Sequence, residues 1–285
     1  MGALTFTPSG IYCAAGDFYI DPWRPVDRAL ITHGHADHAR PGMGAYLATY
    51  LAAPVMRHRL GDIPLDTIRY GEARQIGGAT VSFHPAGHVP GSAQIRVEVA
   101  GEVWVASGDY KVVDDGLSTP FEPVTCHHFI TESTFGLPVF RWQDQSYVAA
   151  EINSWWASCA AAGKTAFLGC YALGKAQRLL TLLNPEIGSI LTHTAIENTN
   201  AVMRGQGITL PDTIQAGADL TPKDHAGALV LAPPSALDSA WARKFGPRET
   251  AFASGWMALR GIRRRRSGDR GFVISDHADW TGLLD

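Results

Sequence analysis

The chain has 285 residues, 46% of them hydrophobic and 18% charged, with a formal net charge of −3. That length allows one large domain or two ordinary ones with an ample core, and the charge excludes a generally basic nucleic-acid coat, so any polyanion contact must be local. Four scattered cysteines (Cys13, Cys126, Cys159, Cys170) with no C-x-x-C pair argue against a disulfide frame or a zinc ribbon and read as reduced thiols. The N-terminus has no charged segment leading into an apolar core. No apolar run reaches the about 18 residues of a membrane span, so no membrane partner is expected and the cytoplasm is the expected compartment.

In chain order, Gly10–Cys13, Phe18–Asp21 and Arg28–His33 predict short strands, with Pro22 and Pro25 making the middle connection a loop. The apolar run Ala29-Leu30-Ile31 leads into Thr32-His33-Gly34-His35-Ala36-Asp37-His38. Neutral imidazole nitrogens and a carboxylate oxygen this close together suit a transition metal such as zinc. His33 and His35 are two positions apart, so at an extended strand end they point the same way and can grip one ion. Asp37 and His38 lie beyond the turn and can face a second ion, roughly 3.5–4 Å off as in two-metal hydrolytic sites. Ala39 to Tyr50 has helical composition, which would put Asp37 near a helix N-terminus, where a carboxylate is favoured.

From Gly71 the pattern predicts strands at Ala79–Phe83, Gln94–Val99 and Glu102–Ala106, the second alternating polar and apolar as a half-buried strand does. His88 falls in the loop between the first two, and Asp109 follows the third in Ser107-Gly108-Asp109-Tyr110. Loops at strand ends are where a scaffold places chemistry. Phe129-Ile130-Thr131-Glu132-Ser133-Thr134-Phe135-Gly136 reads as a strand ending in an acidic turn. Over 137–250, helical stretches (Tyr147–Ala162, Ala172–Leu183) alternate with short apolar strands (Lys164–Leu168, Leu229–Ala232), which predicts a small α/β domain with a parallel sheet. Gly169 to Gln177 links a strand to a helix and is either a phosphate-holding turn or an ordinary connection. Arg263-Arg264-Arg265-Arg266 is a solvated face or, if it lines a cleft, a phosphate contact. A strand then leads to Ser275-Asp276-His277-Ala278-Asp279.

The succession of H-x-H-x-D-H, Gly87-His88 before Gly91-Ser92, and Ser107-Gly108-Asp109 resembles the metallo-β-lactamase superfamily. Glu132-Ser133-Thr134-Phe135-Gly136 and Ser275-Asp276-His277-Ala278-Asp279 resemble the first and second signatures of its β-CASP nuclease branch. The resemblance implies an α/β (α+β) fold class: an αββα sandwich over 1–136, an inserted α/β cap over 137–250, and a return to the sandwich over 251–285. It matches Asp21 to the superfamily's structural aspartate. It implies two zinc ions, with manganese as the other option: His33, His35 and His88 on the first, Asp37 and His38 on the second, Asp109 on both. Hydroxide held by the metals would attack phosphorus, with Asp37, His277 and Glu132 as catalytic residues and His277, oriented by Glu132, as the acid. Ser133, Lys175, Trp256, Arg260 and Arg263 are the expected substrate contacts.

A third signature, a His after one more strand, does not appear before Asp285, so the second site lacks an expected ligand and the chain reads as a fragment. Asp17-Phe18-Tyr19-Ile20-Asp21-Pro22-Trp23 and Gly255-Trp256-Met257 are most like bacterial ligase-associated exonucleases of DNA repair. DNA is then the expected substrate, and a ligase or helicase of repair a possible partner. Three alternatives stand beside this: an RNA-processing β-CASP ribonuclease, a lactamase-like hydrolase of thioesters or lactones, and an inactive β-CASP scaffold. The cap, Glu132 and His277 argue against the hydrolase, and the six upstream ligands argue against the scaffold.

Overall fold

A computed structural model describes residues 2–217, 226–262 and 270–285, a mixed α/β chain with three sheets. Two compact units emerge: Met1–Thr134 with Asp276–Ala278 and Gly282–Asp285, and Phe135–Ser275 with Asp279–Thr281.

The first unit has two sheets. One runs in sequence order, β1 (Thr5–Thr7), β2 (Gly10–Cys13), β3 (Phe18–Ile20), β4 (Arg28–Leu30), β5 (Ala45–Thr49) and β6 (Leu65–Ile68), antiparallel up to β3 and parallel beyond it. The other is β7 (Ala73–Ile76), β8 (Ala79–Pro85), β9 (Ala93–Val99), β10 (Glu102–Ala106) and β11 (His128–Ile130), also laid down in order. Alternation puts Phe18, Ile20 and Leu30 of the first sheet into one apolar cluster with Val81, Phe83 and Ile95 of the second. Each such buried side chain contributes roughly 1.5–3 kcal/mol. Helix α1 (Ala53–Leu60) adds Met56 to a separate cluster with Ala29, Ile31, Tyr46 and Ala48, then stops at Gly61 with φ +78°.

The helix expected over Ala39–Tyr50 is absent. Residues 45–49 form β5, paired on both sides by β4 and β6 and buried at four of five positions. Ladder hydrogen bonds and burial on both flanks outweigh a weak compositional preference for helix. Asp37 therefore lies in a turn, closed by the Ala39 N–H donating to the His35 carbonyl at 2.8 Å, and not at a helix N-terminus.

The second unit is a parallel sheet, ordered β14 (Ile214–Gln215), β13 (Ile190–Thr192), β15 (Leu229–Ala232), β12 (Thr165–Gly169), β16 (Arg248–Ala253) and β17 (Arg270–Phe272). Helix α2 (Gln145–Ala161) leads into β12, and helices α3 (Lys175–Leu182) and α4 (Thr194–Gly205) connect strands of the sheet. Trp155, Trp156, Leu179 and Ile196 pack against Leu168, Leu229 and Leu231. The Gly174 N–H ahead of α3 donates to Gln177 Oε1 at 2.8 Å, so the chain's own side chain fills that turn.

In the first unit, the segments leaving the carboxyl ends of β4, β8, β10 and β11 carry His33, His88, Asp109 and Glu132. One clamp fixes the His88 segment. The Thr49 hydroxyl donates to the Gly91 carbonyl at 2.6 Å, and Gly91 has φ +85° with room for no Cβ, which would lie 2.4 Å from the Ala52 nitrogen. Gly91→Ala is expected to cost about 2–4 kcal/mol, combining a left-handed backbone with a clash against main chain. Gly61→Ala, with φ +78° but open space around it, should cost only about 1–2 kcal/mol. Urea unfolding midpoints of the two variants check the difference.

Candidate metal centre

The centre begins with Asp21. Its backbone has φ +41°, a region Asp tolerates, and its carboxylate accepts the Thr32 N–H (2.8 Å), the Thr32 hydroxyl (2.5 Å) and His38 Nδ1 (2.7 Å). Because the Thr32 proton goes to Asp21, the Thr32 oxygen can accept from His33 Nδ1, 3.1 Å away. That tautomer leaves a lone pair on His33 Nε2. His88 reaches the same state by another route: its Nδ1 donates to the Asp276 carbonyl at 2.7 Å. Its own N–H and that of Val89 both donate to Ser92 Oγ.

Both Nε2 lone pairs then converge on His35 Nδ1, at 3.0 Å from His33 and 3.1 Å from His88. One ring nitrogen can offer one proton, so hydrogen bonding alone leaves this trio short. Nitrogens bound at about 2.0–2.1 Å on a tetrahedral ion would stand about 3.3 Å apart, close to what is seen. One ligand atom each from His33, His35, His88 and Asp109 lies within 4.8 Å of all the others. Burial pushes His33 and His88 well below the usual imidazole range, so both are in the neutral form a metal requires. The donor set fits zinc.

Asp109 is the hub. Its Oδ2 lies 3.7 Å from His33 Nε2, 3.8 Å from His88 Nε2, 3.5 Å from His38 Nε2 and 4.0 Å from His277 Nδ1. Burial alone would raise its pKa; the His38 hydrogen bond and the nearby imidazoles outweigh burial and hold the carboxyl below its ordinary range. Burial opposes a charge on His38, but the Asp21 and Asp109 carboxylates prevail and push its pKa up to about 11. With Nδ1 tied to Asp21, the His38 Nε2 faces Asp109 and, at 3.8 Å, Asp37. Asp37 is otherwise open to solvent, its side chain 72% exposed.

His277 Nδ1 lies 3.0 and 2.9 Å from the two Glu132 oxygens, and Glu132 Oε1 also accepts the Tyr110 N–H at 2.9 Å. Asp109, Glu132 and His277 form a second group whose ligand atoms lie within 4.8 Å. The structure therefore gathers His33, His35, His38, His88, Asp109, Glu132 and His277, with Asp37 at the rim.

The expected substrate residues fall differently. Ser133 is exposed on the first unit. Lys175 is buried at the start of α3 in the second unit. Trp256 packs in that unit against Phe135 (4.9 Å) and Phe140 (5.5 Å), and Arg260 is exposed there. Arg263 and the rest of the arginine run lie outside the described residues. Thr32, Ser92 and Tyr110 had drawn no role from sequence. A hydroxyl at the end of an apolar strand, next to paired histidines, was the available signal for Thr32.

No family model matches the chain. It is 29% identical over 279 residues to a probable DNA ligase of Opitutus terrae, an alignment covering 96% of this chain and 27% of the ligase. It is 31% identical over 147 residues to a ribonuclease of Thermus thermophilus, covering 42% of this chain and 34% of that protein. With cleavage and polyadenylation specificity factor 73 of Drosophila melanogaster it shares 28% over 134 residues, 44% of this chain and 19% of the factor. The chain thus spans about a quarter of the ligase and a fifth of the cleavage factor. A solved protein of unknown function from Enterococcus faecalis V583 superposes with a TM-score of 0.54 at 10% identity, over 88% of this chain and 70% of that one, a likeness of fold alone. The order of this chain's motifs and these sequence relatives fit the β-CASP branch of the metallo-β-lactamase superfamily.

Proposed function

We propose that the chain is a zinc-dependent phosphodiesterase acting on nucleic acid, a DNA exonuclease of repair. In this reading the first unit is the lactamase-like αββα sandwich and the second is the β-CASP cap, which extends the expected 137–250 segment to residue 275 because β17 pairs with β16. The observation that carries the proposal is the convergence of two imidazole lone pairs on a third ring nitrogen beside Asp109, with the His277–Glu132 pair on the same carboxylate. A relative named for DNA ligation that aligns along 96% of the chain favours DNA. Relatives named for RNA cleavage, aligning over 42% to 59% of the chain, support RNA as the second reading.

His33, His35 and His88 would hold one zinc ion and Asp37 with His38 a second, Asp109 serving both; manganese suits the more oxygen-rich second set. Bound zinc supplies Lewis acidity, bringing the pKa of water toward neutrality and offsetting charge on phosphoryl oxygens. The chain's own groups do the rest. Asp21 and Thr32 fix the tautomers of His38 and His33. Glu132 accepts a hydrogen bond from His277 Nδ1–H, and the protonated ring would deliver its Nε2 proton to the departing sugar oxygen, leaving neutral imidazole. The exposed Asp37 marks the side from which substrate approaches.

The test is direct. Purified chain should contain zinc by elemental analysis and shorten an end-labelled DNA strand faster than the matching RNA. Asp109→Ala should lose zinc affinity by more than about 100-fold, since removing even a partner of a ligand costs about 10–100-fold. Failure of the wild-type chain to cut either strand overturns the nuclease reading, and RNA cut faster than DNA replaces DNA with RNA.

His277→Ala should lower kcat by about 10²–10⁴-fold while zinc content stays at the wild-type level. Zinc loss in that variant would instead mark His277 as a ligand.

A further consequence concerns the metal-free protein. Folding raises the His38 pKa from 6.5 to about 11, so the stability it contributes is fully present below pH about 6.5 and is lost as pH rises through about 11. Asp21→Asn removes the leading attractive charge and should flatten the loss of stability across that window, measured as urea midpoints against pH.

A further inference from the structure

The loop that carries His35, Asp37 and His38 is held by two arginines outside the ligand set. Arg59, in the last turn of α1, donates from Nη1 to the Gly34 carbonyl at 2.6 Å and to the Ala39 carbonyl at 3.4 Å. Arg40 donates from Nε to the Asp37 carbonyl at 3.1 Å. Both guanidinium groups are thus pinned on carbonyls of residues 34–39. Arg59 is exposed and Arg40 half-buried. Among the described residues neither has a carboxylate within 4.0 Å. Arg59 Nε and Nη2 and Arg40 Nη1 and Nη2 have no protein acceptor there.

A guanidinium anchored by one edge and open along the other is already ordered, so little side-chain entropy remains to be lost when a planar oxyanion partner arrives. The open edge matches phosphate oxygens in fork geometry. Nothing in the metal centre uses these donors, and Asp37, whose carbonyl anchors one of them, is exposed at the rim.

We propose that Arg40 and Arg59 bind backbone phosphates of the nucleic-acid strand beside the scissile one. This rests on the nuclease reading and adds to it a substrate contact on the first unit, distinct from Ser133 and from the residues expected in the second. Arg59→Gln and Arg40→Gln each remove one phosphate contact; Arg59→Lys keeps the charge.

The experiment is fluorescence anisotropy of zinc-loaded protein with a labelled phosphorothioate single strand over a salt series, with zinc content measured alongside. The log–log salt slope should become shallower by about 0.7 for each arginine replaced by Gln, and Arg59→Lys should retain the wild-type slope. Zinc content should stay at the wild-type level throughout. An unchanged slope in both Gln variants overturns the proposal and leaves the nuclease reading intact. Zinc loss in the Gln variants also overturns it, since the arginines then serve the loop and not the strand. A wild-type protein that binds no strand overturns the proposal and the nuclease reading together.

Discussion

Three hydrogen bonds end on the carboxylate of Asp21, two from Thr32 and one from His38, while its own N–H donates to the Leu30 carbonyl at 3.0 Å. The position demands a left-handed backbone, which a β-branched residue would adopt only with strain. One side chain thereby decides the protonation pattern of two imidazoles. It binds the proton of His38 directly, and it takes the Thr32 proton so that Thr32 can accept from His33. Without it, His33 could equally present an N–H toward Asp109 and His35. The face that the loop presents to the proposed metals is therefore set by a residue outside the proposed ligand set, through tautomer choice.

The placement of His88 and Asp109 depends on close backbone approach. Gly108 has φ +56°, and a Cβ there would lie 2.6 Å from the Thr32 Cβ, so the segment presenting Asp109 rests on the residue that orients His33. Gly87 has φ +72°, and a Cβ would lie 2.2 Å from the Lys111 carbonyl oxygen; the Lys111 N–H donates to Ala86 at 2.9 Å. The His88 and Asp109 segments are thus laced together by main chain. A buried pair, Lys111 with Asp115, fixes the loop segment that leaves that lacing, and Asp115 also accepts the N–H groups of Leu117 and Ser118. Breaking one partner of such a pair leaves a buried charge uncompensated, so the segment is held in one arrangement.

Much of this was legible in the residues. Val97 and Ile95 alternate with Arg96 and Glu98, and that period located β9; Leu229–Ala232 before two prolines located β15. Helix α2 was foretold by composition, and Asp144, accepting from Ser146, starts it. The H-x-H-x-D-H spacing drew attention to His33, His35, Asp37 and His38 because they cluster in sequence. What sequence concealed was decided by partners far along the chain. Residues 45–49 form a strand because β4 and β6 flank them, and their own composition points the other way. The tautomers of His33 and His88 depend on Asp21, Thr32 and the Asp276 carbonyl, the last 188 positions from His88. Arg59 meets Gly34 across 25 positions. No local pattern encodes such pairings.

The charge of the chain poses a last question, since a net −3 should repel a polyanion. The centre itself is acidic when metal-free: His33 and His88 are neutral, and the single charge of protonated His38 faces two carboxylates, Asp21 and Asp109. Binding of a divalent ion beside Asp109 would add positive charge and, where His38 became a ligand, release one proton. Local potential at the loop would then come from the bound ions and from Arg40 and Arg59 together, both arginines being anchored on carbonyls of residues 34–39. Attraction confined to so small a region acts over about a Debye length, near 8–10 Å at ordinary salt, and leaves the rest of the acidic surface to discourage binding elsewhere. Such a distribution favours a strand entering at one place over a coat of nonspecific contacts, and it ties affinity for that strand to occupancy of the same loop that would perform the chemistry.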